Sequence, residues 1–185
     1  TLLVLLLAGL LAGCGGGSRP TGIRAAETPA DDVAEYQPRW RSHTVDSTQY
    51  RKVFLAGTID MGRSSDWQAA LVARFRDSIG GRWLFFNPRR REFHASPAEM
   101  EYQVAWELAH LEAADLIVMN LLGDSRSPIS LLEMGLYARS GKLFVACSPD
   151  YYRYDNVRIT CRRYGVPLYD SLTALLDDLP QQSDE

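Results

Sequence analysis

The chain has 185 residues, with 20 lysines and arginines against 23 aspartates and glutamates, so its formal net charge is −3. Hydrophobic residues make up 46% of it, as in an ordinary globular protein. The near-neutral charge argues against a nucleic-acid-binding surface, and three cysteines are too few for a disulfide scaffold. A multi-span membrane protein is also excluded, because only one long segment lacks charged residues.

That uncharged segment covers residues 1–13 and has the sequence TLLVLLLAGLLAG. Its length is typical of the hydrophobic region of a signal peptide and short for a membrane span. It continues into Leu11-Ala12-Gly13-Cys14, which resembles a bacterial lipobox, in which cleavage precedes the cysteine and its sulfur is lipidated. We therefore expect a signal peptide over residues 1–14 and lipidation at Cys14.

The resulting lipoprotein would be membrane-anchored and face the periplasm. Gly15 stands where inner-membrane lipoproteins usually carry aspartate, so we expect the outer membrane. Two alternatives stay open: a buried strand, or a chance apolar run before a misassigned start codon, which would place the protein in the cytoplasm.

Residues 15–48 begin with a glycine-rich tether and continue without apolar periodicity. Such a stretch buries too little surface to offset the entropy of ordering it. We expect a flexible linker over residues 15–48, from which Tyr36 and Trp40 could still dock, and one domain over residues 49–185.

Within this domain, short apolar runs alternate with segments of helical periodicity. Ser65 or Asp66 can cap the first helix, and Ser96-Pro97-Ala98-Glu99 forms a capping box for the second. In chain order, the predicted elements are a strand at 52–57, a helix from about 66 to 79, a strand at 83–86, a helix at 97–113, a strand at 116–120, a helix from 128 to about 141, a strand at 143–147, a helix at 157–164, a strand at 167–169 and a helix at 171–179.

Apolar strands that alternate with helices predict an α/β fold. We expect a doubly wound, flavodoxin- or Rossmann-like open parallel sheet of about five strands, with helices on both faces. In this architecture ligands bind outside the carboxyl ends of the strands. That rule selects the loops 58–65, 87–95, 121–127 and 148–156.

Several kinds of chemistry lack their motif. The histidines His43, His94 and His110 stand in no HExxH or CxxC pattern, so we expect no metal. Cys147 and Cys161 fall in core patterns, with a periplasmic disulfide as the alternative. There is no GxGxxG after the first strand, no Walker loop and no GxSxG elbow, so we expect no cofactor.

Carboxylates remain as candidates. Glu133 lies early on a predicted helix with apolar residues on both sides, an unusual place for a charge. The helix N-terminus after Ser127 favours its ionised form, whereas apolar neighbours raise its pKa. Glu107 shares a helix face with Gln103. Each glutamate could instead face solvent, and Asp60 and Asn156 could be simple caps.

Four strings in this order resemble the nucleoside 2-deoxyribosyltransferase-like superfamily, over about residues 52–179. The Glu-x-Gly motif of the third string is the most specific. The strings are Val53-Phe54-Leu55-Ala56-Gly57-Thr58-Ile59-Asp60, Gln103-x-x-Trp106-Glu107-Leu108, Ser127-Pro128-Ile129-Ser130-Leu131-Leu132-Glu133-Met134-Gly135 and Tyr152-Arg153-Tyr154-Asp155-Asn156-Val157.

The resemblance implies that Glu133 is the nucleophile on the sugar anomeric carbon and that Glu107 handles the base or leaving group. The family asparagine matched by Asn156 often reaches a neighbouring subunit, which implies a homodimer. Trp67 could stack on the base. The residues expected to bind substrate are Gly57, Asp60, Trp67, Gln103, Ser127, Ser130 and Asn156.

Two positions depart from the transferases of this family. Val53 stands where they carry an aromatic residue, and Ser127 stands where they carry an aspartate. A serine there resembles the related deoxynucleotide N-hydrolases, in which it helps to hold a 5′-phosphate. Ser125, Ser127, Ser130 and the helix N-terminus would then form an anion seat.

The expected function is N-glycosidic bond cleavage or transfer on a nucleoside or nucleotide, with Glu133 ionised and Glu107 protonated. Water as acceptor gives a hydrolase, and a second base gives a transferase. Two alternatives stay open: a nucleotide-binding or sensor lipoprotein without turnover, and a NAD glycohydrolase.

Overall fold

The structure, a computed structural model, describes residues 32–78, 80–92, 94 and 96–179. The predicted signal peptide, the predicted lipidation site Cys14 and the first half of the predicted linker lie outside these ranges. Within them, no helix combines the length and the apolar character needed to cross a membrane.

The described residues form one seven-stranded sheet in the order β2-β1-β4-β3-β5-β6-β7. Every neighbouring pair is parallel except β1 with β2. The strands are β1 (Val33–Gln37), β2 (Trp40–Arg41), β3 (Arg51–Gly57), β4 (Trp83–Phe86), β5 (Leu116–Leu121), β6 (Leu143–Cys147) and β7 (Leu168–Tyr169).

Five helices cover the two faces of the sheet. They are α1 (Trp67–Ser78), α2 (Pro97–Ala113), α3 (Pro128–Tyr137), α4 (Tyr154–Tyr164) and α5 (Leu172–Asp178). Successive side chains of a strand point to opposite faces. On β3, Phe54 therefore packs in the core beneath α2, α3 and α4, whereas Leu55 packs in the core beneath α1 and α5.

The predicted fold class is confirmed, and the five strands and five helices predicted for the domain are present. Helix boundaries differ at some ends: α3 stops at Tyr137, before the predicted limit, and α4 begins at Tyr154, three residues early. Ser96 caps α2 as predicted, its side chain accepting a hydrogen bond from the Glu99 backbone N–H. Cys147 and Cys161 are both buried and free.

The linker prediction is wrong for its second half, because residues 33–41 form two strands of the sheet. β1 pairs in parallel with β4, from Val33 opposite Trp83 to Tyr36 opposite Phe86. Tyr36 is buried against Phe86, which confirms its predicted docking. Polar Glu35 and Gln37 interrupt the apolar pattern of β1, so the open edge of β4, rather than local hydrophobicity, recruits this segment.

After β3, the chain first adds β4 at one edge of β3 and then adds β5 at its other edge. This is a topological switch point, where a crevice opens at the carboxyl ends of the adjacent strands. Gly57 closes β3 there with φ +123°, and a Cβ on it would lie 2.2 Å from the Asn120 carbonyl oxygen. Only glycine allows β3 and β5 to stay this close where the crevice begins.

Candidate active site

A cleft of about 420 Å³ opens at the switch point. Its walls come from the loop after β3, from Pro88, from one face of α2 and from the start of α3. The residues that line it are Gly57, Ile59, Asp60, Met61, Arg63, Pro88, Met100, Gln103, Val104, Glu107, Ser127, Pro128, Ile129, Ser130 and Glu133. Both candidate carboxylates, from different helices, therefore face one space.

Glu133 lies in the second turn of α3 and is only 8% exposed. Burial, and then the nearby charge of Glu107, raise the pKa of Glu133 to about 8. The opposing effect of the helix N-terminus is too weak to keep this carboxyl ionised. This raised pKa favours the protonated form of Glu133 at neutral pH, whereas the expected mechanism needs its carboxylate.

Glu107 lies on α2 and is held by Gln103, whose Nε2 donates to Glu107 Oε1 over 2.7 Å and to the Pro88 carbonyl oxygen over 3.1 Å. Burial raises the pKa of Glu107, while the hydrogen bond from Gln103 and the charge of Arg90 oppose that rise. The two carboxyls thus differ in their surroundings: Glu107 has polar partners, whereas Glu133 makes no side-chain hydrogen bond within the described residues.

A chain of hydroxyl groups joins the loop after β3 to the start of α3. Thr58 Oγ1 lies 2.8 Å from Ser127 Oγ, and Ser127 Oγ lies 2.6 Å from Ser125 Oγ. Ser125 Oγ then donates a hydrogen bond to Asp60 Oδ1 over 3.1 Å. The backbone N–H of Leu122 donates to Thr58. Because Asp60 accepts at the far end, the hydroxyl protons point toward it, from Thr58 through Ser127 and Ser125.

This chain corrects the expected anion seat. The hydroxyl protons of Ser125 and Ser127 are already donated within the chain, and the Asp60 carboxylate accepts the last of them. Ser130 differs, because it is 4% exposed, lines the cleft and has no hydrogen-bond partner for its side chain among the described residues. Ser130 is therefore the hydroxyl that remains for a substrate.

Two expected substrate contacts lie elsewhere. Trp67 is buried under the loop after β3, where its indole N–H donates to the Thr58 carbonyl oxygen over 2.8 Å. It supports the loop and cannot stack on a base in the cleft. Asn156 is exposed at the start of α4 and lines a separate groove between α3 and α4.

The apolar wall of the cleft was missed by sequence reasoning. Met61 is 83% exposed and Ile129 60% exposed, and both line the cleft with Met100 and Val104. No aromatic side chain lines it within the described ranges. An indirect indication of this wall is present in the sequence, because these apolar residues lie at loop and helix positions that the predicted core does not use.

Arg89 was also missed, although it fixes the loop that carries Asp60. Its guanidinium donates to the carbonyl oxygens of Gly62, Ser64 and Ser65, and also to the side chains of Ser64 and Gln68. Its side chain is 11% exposed. Arg89 thus binds four acceptors of the loop and one on α1, 21 to 27 positions away in the chain. It joins one wall of the cleft to the start of the β4–α2 connection.

We expect Arg89→Ala to destabilise the protein by about 2–4 kcal/mol, because several half-buried acceptors lose a charged donor. Arg89→Lys should recover only part of this, since an ammonium lacks the planar fork that reaches separated acceptors. Urea unfolding measures both. Arg76→Ala, which removes an exposed arginine of α1, is the matched control. Equal stabilities for the Arg89 and Arg76 variants would contradict the role of Arg89.

Among the described residues, no group of three or more histidine, cysteine, aspartate or glutamate side chains is arranged to hold a metal ion. The cleft itself brings together two carboxyls, those of Glu107 and Glu133.

Comparisons with known proteins agree with this fold. A family model described as "Nucleoside 2-deoxyribosyltransferase like" matches residues 50–151, more than half of the chain. No curated protein matches. A solved structure, that of a conserved protein from Enterococcus faecalis V583, has a TM-score of 0.52 at 16% sequence identity, covering 72% of this chain and 99% of that one. At this identity the similarity concerns the fold alone.

Proposed function

The chain belongs to the nucleoside 2-deoxyribosyltransferase-like family, and from this premise we propose that it cleaves or transfers the N-glycosidic bond of a nucleoside or nucleotide. The observation that carries the proposal is that Glu133 and Glu107, from two helices, face the same cleft at the switch point of the sheet. Breaking this bond needs electrons at the anomeric carbon and a proton on the leaving base, and two carboxyls in different surroundings can supply both.

In the proposed mechanism, Glu133 attacks C1′ as a carboxylate and forms an ester bond to the sugar. The C1′–N bond breaks, and its electron pair leaves with the base, which takes a proton from Glu107. Glu107, now ionised, then removes a proton from the acceptor, which attacks C1′ and releases Glu133. With water the product is the free sugar, and with a second base it is a new nucleoside.

The mechanism requires one proton on the pair of carboxyls, placed on Glu107. Burial raises the pKa of Glu133 and by itself favours the opposite placement. A bound substrate changes this balance, because positive charge develops on the sugar ring as the C1′–N bond lengthens and stabilises the Glu133 carboxylate beside it. We therefore infer that the proton moves to Glu107 only when substrate is bound.

Three features of the cleft suit parts of a nucleotide. The apolar surfaces of Met61, Met100 and Ile129 can hold the flat faces of a base. Gln103 Oε1 is buried without a partner among the described residues, so a base that offers an N–H group would satisfy it. The Ser130 hydroxyl and the N-terminus of α3 remain for a sugar hydroxyl or a phosphate oxygen.

The proposal is tested by incubating the protein with a panel of nucleosides, 5′-monophosphates and NAD, and measuring free base by chromatography. We expect base release from at least one 2′-deoxynucleoside or its monophosphate. Addition of a second base distinguishes transfer from hydrolysis. Release of nicotinamide alone would replace the proposal with a NAD glycohydrolase, and tight nucleotide binding by calorimetry without base release over hours would replace it with a binding protein.

A homodimer is the second part of the proposal. Large apolar side chains form exposed stripes on α2 and α3, beside the mouth of the cleft. They are Met100, Val104, Leu108, Ile129, Leu132 and Leu136. The stripes continue the apolar wall of the cleft. A second copy of this chain packed against them would both cover apolar surface and narrow the mouth of the cleft. Asn156, which lies outside its own cleft, would be free to contact that copy.

We expect Leu132→Glu to shift the protein from dimer to monomer, because a carboxylate in the centre of an apolar interface loses its hydration. Sedimentation velocity measures the shift. Ile159→Glu on α4, at a residue that is 50% exposed and outside the stripes, should leave the dimer intact. A wild-type protein that sediments as a monomer at every concentration would contradict the dimer.

We also propose lipid anchoring at Cys14, supported by the apolar run that ends in Leu11-Ala12-Gly13-Cys14. A single acyl signal binds membranes only weakly, whereas the several chains of a processed lipoprotein anchor it stably. Metabolic labelling with a fatty-acid analogue in a bacterial host should label the wild type and fail to label Cys14→Ser. Equal labelling of both would contradict the anchor.

A further inference from the structure

A second cavity, of about 460 Å³, lies across α2 from the cleft. The two cavities share no residue: Met100, Gln103, Val104 and Glu107 face the cleft, whereas Glu99 faces the second cavity. We call it the arginine groove. Its lining residues are Gln37, Pro38, Arg39, Trp40, Arg90, Arg91, Glu92, His94 and Glu99.

Aromatic rings hold two of its three arginines in place. The guanidinium of Arg39 lies 4.0 Å from the centre of the Tyr102 ring, and that of Arg91 lies 4.2 Å from a ring of Trp40. Stacking of this kind fixes the plane of the guanidinium and leaves its N–H edge for other partners, as when Arg39 donates to Glu99. The arginines are therefore oriented before any ligand arrives, which lowers the entropic cost of binding.

The charges of the groove are not balanced. Arg39 and Arg90 both pair with Glu99, each at 2.8 Å, so one carboxylate serves two guanidiniums. Arg91 makes no ion pair or hydrogen bond with any described residue. Among the described residues that line the groove, Glu92 is the only other carboxylate. Positive charge thus remains in a concave site of a protein whose net charge is −3.

We propose that the arginine groove is a second binding site, for a small anionic ligand that carries phosphate or carboxylate groups. Guanidinium groups bind such oxygens with two parallel hydrogen bonds. Arg91, which already stacks on Trp40, can supply two N–H donors for them. Arg39 can join it from the turn between β1 and β2, where its backbone has φ 63°. The site is independent of the two carboxyls of the cleft.

The test is isothermal titration of the purified protein with inorganic pyrophosphate, and with citrate as the carboxylate probe. We expect saturable binding of at least one probe, weakened by added sodium chloride because the contacts are ionic. Arg91→Gln should lower the affinity about tenfold or more, as expected for losing a charge-assisted pair of hydrogen bonds. Arg76→Gln removes the same charge from an exposed position on α1 and should have no effect.

Three results would overturn this site. They are no binding of either probe by the wild type, equal losses in the Arg91 and Arg76 variants, and full affinity in Arg91→Gln. Displacement of the probe by a nucleoside that occupies the cleft would also overturn it, since the two cavities are separate. Because the titration needs no turnover, a protein that releases no base but binds pyrophosphate through Arg91 would refute the glycosidic function and still support the groove.

Discussion

Replacing Glu133 with glutamine is expected to abolish base release, with a loss of at least about a thousandfold. Glutamine has nearly the same shape, so the walls of the cleft should stay in place. Its amide cannot form the ester with C1′, so the covalent step is lost while substrate binding remains. Single-turnover assays with the substrate found in the panel measure the loss, and calorimetry with the same substrate measures the retained binding.

The same variant should become less sensitive to pH in its stability. The pKa of Glu133 is the ordinary 4.5 in the unfolded chain and about 8 in the folded protein, so the free energy of unfolding falls as pH rises from about 4.5 to about 8. A shift of this size corresponds to roughly 2–5 kcal/mol. Above pH 8, Glu133→Gln should therefore be the more stable protein by urea unfolding.

Glu101→Gln is the control for both measurements, because Glu101 is an exposed residue of α2 outside the cleft. It should match the wild type in base release and in the pH dependence of stability. Full activity of Glu133→Gln on every substrate that the wild type cleaves would show that the nucleophile is another group. A loss of activity together with a loss of folding below pH 6 would show that Glu133 is needed for structure.

Replacing Glu107 with glutamine is expected to slow base release by about 10²- to 10⁴-fold, the usual contribution of a general acid. The loss should depend on the leaving group. A base that departs readily as an anion needs no proton, so Glu107→Gln should retain most of its activity on a substrate with such an acidic leaving group. Glu133→Gln should lose activity on both kinds of substrate.

The pH profile gives a second test of Glu107. The active form has one proton on the pair, so base release by the wild type should fall above about pH 8 as that proton is lost. In Glu107→Gln no carboxylic acid supplies the proton, and this alkaline decline should disappear. An unchanged decline in Glu107→Gln, or equal losses on good and poor leaving groups, would show that Glu107 does not protonate the base.

The sequence predicted the elements of the domain well where the pattern was local. Apolar runs such as residues 116–120 form strands because a parallel sheet buries both faces, and Ser96 caps α2 through a contact within its own turn. The same reasoning failed at β1. A strand whose polar Glu35 and Gln37 interrupt the pattern is stabilised by the backbone of β4, which no local pattern reports.

The sequence likewise predicted some residues of the candidate site correctly and misplaced others. Seven of the expected residues line the cleft together: Gly57, Asp60, Gln103, Glu107, Ser127, Ser130 and Glu133. Five of them lie at a strand end or a helix start, which made this predictable, whereas Gln103 and Glu107 lie in the middle of α2. Trp67 and Asn156 carry equally suggestive side chains, but one packs beneath the loop and the other faces a different groove. Those directions depend on how α1 and α4 dock on the sheet.

By itself, the sequence determined the layered α/β fold and the helices that carry the two glutamates, because both follow from periodicity and capping over a few neighbouring residues. Only the tertiary structure decided how readily each of these groups ionises. The raised pKa of Glu133 comes from burial and from Glu107 on another helix, and the orientation of the hydroxyl chain comes from Asp60, 65 positions from Ser125. Such electrostatic effects depend on distance in space, and residues far apart in the chain set them.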